Sequence, residues 1–174
     1  MTYIYHGCPE KMIGTVLYPL NELRTSHLDV YWREVAKYSD HPERMKLPET
    51  LLPILNCLWS DVLHCSPIHP GRLHAAWQEA GACTIPEKKF FRIPIQRGAH
   101  HPVAIMRGRK VELLEVANYR EIATVPAETS AWYVKLASEG RFGGHFVGVP
   151  HVLVKDSIDV DEVEIVHWSD HPIE

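Results

Sequence analysis

HVLVKDSIDVDEVEIVHW, residues 151–168, decides the fold class. Val152, Leu153 and Val154 form a short apolar run of the kind that fills a buried strand. Ser157 to Glu162 then reads as a turn or a helical turn. VEIVHW alternates apolar and polar side chains, the period of a strand with one covered face. Just upstream lies the glycine-rich RFGGHFVGVP (141–150), and before it AETSAWYVKLASEG (127–140), a helix closed by Gly140. PVAIMRGRKVELLEV (102–116) predicts two strands about a turn at Arg107-Gly108, and KKFFRIPIQRG (88–98) a strand whose Pro94 argues for an edge or a bulge. Strands dominate this second half.

The first half mixes both element types. TYIYHG (2–7) reads as an opening strand that stops at Gly7. In TVLYPLNELR (15–24), Pro19 interrupts the pattern and Asn21 is placed to cap a following turn. SHLDVYWREVAKYSDHPERM (26–45) predicts a helix with Val30, Trp32, Val35, Tyr38 and Met45 on one face. Ser26 or Asp29 caps its start, and His41-Pro42 ends or kinks it. The apolar segment 47–70 reads as a short turn or helix, a buried strand over Trp59–Cys65 and a loop at Ser66–Pro70. Pro70 then opens the helix GRLHAAWQEAG (71–81), with Leu73, Ala76, Trp77 and Ala80 on one side and Gly81 at its end. All five tryptophans, Trp32, Trp59, Trp77, Trp132 and Trp168, are placed mostly as core anchors.

The order is α+β in a chain of 174 residues, the length of one domain. Hydrophobic residues make up 45% and charged residues 23%, so disorder is excluded as the dominant state. There is no regular βαβ alternation and no GxGxxG or Walker loop, which disfavours a Rossmann dehydrogenase or a P-loop nucleotidase. No apolar run approaches the ~20 residues of a membrane span, and MTYIYHGCPEK carries no secretory pattern. The expectation is a cytoplasmic domain without membrane partners.

The net charge of −4 is unevenly spread. Residues 155–174 hold seven acids and only Lys155, whereas 86–110 hold seven bases and only Glu87. That basic stretch is either a phosphate-receiving surface or the solvated face of a hairpin. The cysteines Cys8, Cys57, Cys65 and Cys83 lack zinc-ribbon spacing and read as small buried thiols. Twelve histidines are unusual. They form no HExxH pair, but His64 and His69 cluster in LHCSPIHP and His145 and His151 flank HFVGVPH.

Three segments carry a resemblance: IYHG (4–7), DVLHCSPIHPGRLHAAWQEAG (61–81) and GVPHVLVKDSIDVDEVEIV (148–166). Together they resemble the ADP-ribosyltransferase superfold, the group of the DarT-type DNA ADP-ribosyltransferases and the RNA 2′-phosphotransferases. The resemblance implies a split β-sandwich of mostly antiparallel strands, flanked by two or three helices, that clamps NAD. It implies catalytic roles for His6, His64 and His151, with Gly7, Ser66, Arg92 and Arg97 binding the cofactor NAD. His151 stands where the transferases carry a catalytic Glu, and imidazole supplies no formal negative charge. Glu128 or Glu139 would then supply the carboxylate from the preceding segment. The phosphotransferase variant, which works without that Glu, is suited by the basic stretch with His100 and His101.

Three functions follow. The first is an ADP-ribosyl-type transferase acting on NAD or on a phosphorylated or ADP-ribose-linked acceptor, either a nucleotide or a nucleic acid. The second is a metal-dependent hydrolase built from His64, His69, His145 and His151 with an Asp such as Asp61. The third is a non-catalytic interaction module.

Overall fold

A computed structural model describes residues 1–39, 42–98, 103–115 and 119–171, and His41, His100 and His101 lie outside that set. Strand β1 (Tyr3–Gly7) is followed by β2 (Val16–Leu17), α1 (Leu20–Ser26), α2 (Leu28–Ala36) and α3 (Pro42–Met45). A hairpin of β3 (Leu51–Leu52) and β4 (Cys57–Leu58) precedes β5 (Val62–Cys65) and α4 (Pro70–Glu79). The second half runs β6 (Lys89–Pro94), β7 (Ala104–Arg107), β8 (Lys110–Leu113), α5 (Tyr119–Ile122) and α6 (Ala127–Ser138). It ends with β9 (His151–Lys155), β10 (Ile158–Asp159) and β11 (Glu164–His167).

Two antiparallel sheets make the frame of a single α+β domain. One has the order β1-β6-β11 and the other β5-β9-β7-β8. They join through one bridge, in which Tyr5 and Ser66 exchange N–H···O bonds of 2.8 Å on either side. Beyond that bridge β1 and β5 part. Because side chains alternate along a strand, each sheet buries one set of residues between the layers. Ile4, Phe91 and Ile93 from the first sheet meet Leu63, Cys65, Ile105, Val152 and Val154 from the second. The outer face of the first sheet, with Tyr5, Phe90 and Val166, is covered by α4 and α6 through Leu73, Trp77, Tyr133 and Leu136. Trp77 lies flat on Tyr133 with ring centroids 4.0 Å apart. The hairpin β3–β4 covers the outer face of the second sheet against Val62, Ala104 and Leu153.

Several local expectations change. Pro94 sits not on an edge but in the central strand of its sheet. It is the last residue of β6, opposite Tyr3, so its missing N–H interrupts no ladder. The helix expected over 26–45 begins after His27, whose φ of −146° separates it from α1, and α2 ends at Ala36, well short of the expected run. Ser26 does not cap α2, because its hydroxyl donates back to the Glu22 carbonyl at 2.6 Å and ends α1 instead. Trp32 and Met45 are 62% and 61% exposed, so neither belongs to a core face. Over Trp59–Cys65 only Val62–Cys65 is strand, preceded by a 3₁₀ turn at Trp59–Asp61. Among the described residues no helix is long and apolar enough to cross a membrane.

Candidate functional site

His6 closes the inward-facing row of β1, one residue beyond the bridge to β5. His64 and His151 lie on the outer face of the second sheet, diagonal to each other across the β5–β9 pair. Their rings meet edge to face at 5.9 Å. His6 and His64 line one cavity of about 440 Å³, and His151 lines an adjoining one of about 600 Å³. Phe146 borders both. The fold therefore brings the three catalytic candidates to the place where the two sheets separate.

Backbone carbonyls fix two of the three tautomers. The His6 Nδ1–H donates to Gly7 O at 2.8 Å, which leaves Nε2 as the lone-pair nitrogen. The His64 Nε2–H donates to Trp59 O at 3.1 Å, and its Nδ1 is buried without a hydrogen-bond partner. The His64 ring also lies against the Trp59 indole, centroids 3.9 Å apart, and Tyr38 abuts Trp59 from beyond. Burial, reinforced by His151, lowers the His64 pKa to about 3. Burial likewise lowers His151, and it lowers His6 despite the opposing pull of Glu34. At neutral pH the site is a set of uncharged imidazoles that accept hydrogen bonds.

The remaining candidates sit elsewhere. Gly7 ends β1 opposite Phe90 and lends His6 its carbonyl. Ser66 is buried in its own turn, where its hydroxyl donates to Ile68 O and accepts from Ile68 N. Arg97 clamps the carbonyls of Asp159 and Asp161 at 3.1 and 2.8 Å. Arg92 is in register with Tyr5, not with His6, so strand alternation turns it to the opposite face. There it pairs with Glu164 at 2.7 Å and covers the Tyr3 ring at 4.0 Å. Neither arginine lines the histidine cavities. Of the two carboxylates weighed for the missing charge, Glu128 lines the His151 cavity, whereas Glu139 pairs with Arg141.

The chain matches no family model, no curated protein and no solved structure. Its chemistry rests on its own geometry. The ligand set imagined for a metal does not assemble, and no group of three or more His, Cys, Asp or Glu among the described residues could hold an ion. His69 packs on Tyr5, and His145 sits among Trp77, Phe142 and Trp168 with its pKa lowered by burial to about 4. Asp61 spends its carboxylate on Asn21 and the Leu58 N–H. Sequence reasoning missed Glu34, Lys37 and Tyr38 of the α2 end, which line the His6 cavity, and Phe146, which joins the two cavities. The glycines around Phe146 hinted at it: Gly144 and Gly148 take φ of +59° and +75°, letting that loop fold tightly over the seam.

Proposed function

We propose that this chain is an ADP-ribosyl-type transferase whose site is the histidine seam, acting on NAD or on a phosphorylated or ADP-ribose-linked nucleotide. The supporting observation is the convergence of His6, His64 and His151 at the parting of the two sheets. A frame of two antiparallel sheets also supports the split β-sandwich that the ADP-ribosyltransferase resemblance implies. The cavity volumes fall within the range of small-ligand sites. The buried lone pair of His64 Nδ1 lacks a donor that a ribose hydroxyl offers.

NAD would supply an N-glycosidic bond whose cleavage releases nicotinamide with the bonding electron pair. His64, neutral at every physiological pH, would hold a sugar hydroxyl through Nδ1. His151 would take the proton from the acceptor hydroxyl or amine as that group bonds to the anomeric carbon. Glu128, across the same cavity, would face the positive charge that develops on the sugar, the task for which imidazole is unsuited.

A thermal-shift and mass-spectrometric screen with NAD, ADP-ribose and a 2′-phosphorylated nucleotide tests the proposal. A binder at 100 times its dissociation constant stabilises the fold by ~2.7 kcal/mol. We expect at least one shift, lost in His6→Ala and His151→Ala. Silence from all three ligands overturns it. A non-catalytic interaction module is the second reading, favoured by Leu28 and Trp32, both more than half exposed one turn apart on α2.

A further inference from the structure

On the face of β1 opposite His6 lies a separate cavity of about 550 Å³. Among the described residues it is lined by three arginines from three elements, Arg72 of α4, Arg92 of β6 and Arg120 of α5. No Asp or Glu among the described residues lines it. Glu164 and Asp170 border a smaller neighbouring hollow of about 280 Å³ that shares His69 and Arg92 with it. We propose that the arginine-lined cavity binds a small phosphate ester of nucleoside-monophosphate size, independently of the histidine seam.

The polarity of the lining points to an anion. Arginine has only donors. His69 accepts the Gly71 N–H on Nδ1 at 3.0 Å, so its neutral ring keeps Nε2–H as a donor. The Tyr119 hydroxyl donates to the backbone carbonyls of Tyr3 and Pro67, so its proton is spent on the cavity wall. Arg92 Nε–H is buried with no acceptor, a donor that a phosphate oxygen would satisfy. The groups are also held in place beforehand. Glu164 orients Arg92 at 2.7 Å, and the Ala123 carbonyl orients Arg72 at 3.2 Å. Such preorganised, paired donors are what phosphate recognition uses. Burial lowers the His69 pKa, and Arg92 and Arg72 lower it further against Asp170 and Glu164. The volume sets the size of the ligand: a bare phosphate would leave most of the space to water, whereas a mononucleotide suits the ordinary range for small-molecule cavities.

Isothermal titration of the intact chain with AMP, inorganic phosphate and adenosine tests the site. We expect AMP to bind, adenosine not to bind, and inorganic phosphate to bind more weakly than AMP. Arg120→Gln and Arg72→Gln should each weaken AMP by about tenfold, the loss of one charge-assisted contact. Arg120→Lys should recover part of that loss. Glu164→Gln, which keeps a side-chain acceptor to orient Arg92 but removes the opposing negative charge, should tighten AMP. His64→Ala should leave this event unchanged, which separates it from any nucleotide held at the seam. The proposal is overturned if AMP does not bind, if adenosine or inorganic phosphate binds as tightly as AMP, or if the loss follows His64→Ala instead of the arginines. Arg120 is exposed on a short helix, so its variants remain folded and decide the outcome even where Arg72→Gln does not fold.

Discussion

His64 stays neutral because nothing around it welcomes a second proton. Its Nε2–H is committed to Trp59 O, an indole lies against the ring, and His151 stands beside it. Its folded pKa, about 3, lies far below the ~6.5 of an unfolded chain. Below about pH 6.5 the unfolded state therefore binds the extra proton, so this contribution to stability is complete above that pH and is lost as pH falls toward 3. One such histidine costs about 1.4 kcal/mol per pH unit, or about 2 kcal/mol between neutrality and pH 5. Urea midpoints measured at pH 7 and pH 5 should show the loss. His64→Phe should remove about one histidine's share of the slope, and an unchanged slope in that variant would contradict the assignment. The strand ends at His6 and His151 are legible in the sequence because each is marked by a local pattern, whereas a role for either ring comes only from the resemblance. The fate of Ser66 and Arg92 is not legible there, since it depends on a turn hydrogen bond and on strand parity across a pairing 87 residues apart in register, Tyr5 with Arg92.

At the scale of elements, α4 shows what local signals can and cannot specify. Pro70 at its start, the Leu73–Trp77 face and Gly81 beyond its end, at φ +85°, are all legible in the sequence. What positions α4 is long-range. A methyl group on Gly71 would stand 1.9 Å from the Asp170 carbonyl oxygen, so only glycine lets the helix start press against the turn after β11. Gly71→Ala should cost about 3 kcal/mol, because the obstacle is backbone and cannot swing aside. Gly108→Ala provides the comparison: it meets no neighbour and has only the left-handed backbone at φ +59° to strain, about 1 kcal/mol. Denaturant unfolding of the two variants side by side checks the difference, and equal losses would show that the α4 contact relaxes. The same distinction explains which elements escaped sequence reasoning. Hairpin β3–β4 is two residues on each side, too short for a period to register. The end of α2 at Ala36 falls inside a run whose helical pattern continues toward Met45.

Across the whole molecule the basic stretch and the acidic tail answer each other. β6 pairs with β11, setting Arg92 against Glu164 and Lys89 against His167. Arg97 grips the tail backbone at Asp159 and Asp161, and His167 meets Glu87 at 3.4 Å. On the β7–β8 hairpin, Lys110 pairs with Glu112 at 2.9 Å and Arg107 lies 4.0 Å from the same carboxylate. Much of the positive charge that looked available for a nucleic-acid surface is therefore spent within the fold, and the net charge of −4 repels a polyanion at long range. If all seven bases of 86–110 met phosphates, the logarithm of affinity for duplex DNA would fall with the logarithm of salt at a slope of about −6. With Arg92, Arg97, Arg107 and Lys110 engaged internally, the slope should not exceed about −3 in magnitude. Fluorescence anisotropy of a labelled duplex across a salt series measures it directly. A slope near −6 would mean that the tail leaves β6 when DNA arrives, and that the β6–β11 pairing is an alternative to nucleic-acid binding and not a fixed part of the frame. A shallow slope would mean that the β6–β11 pairing holds when DNA is offered and is a fixed part of the frame.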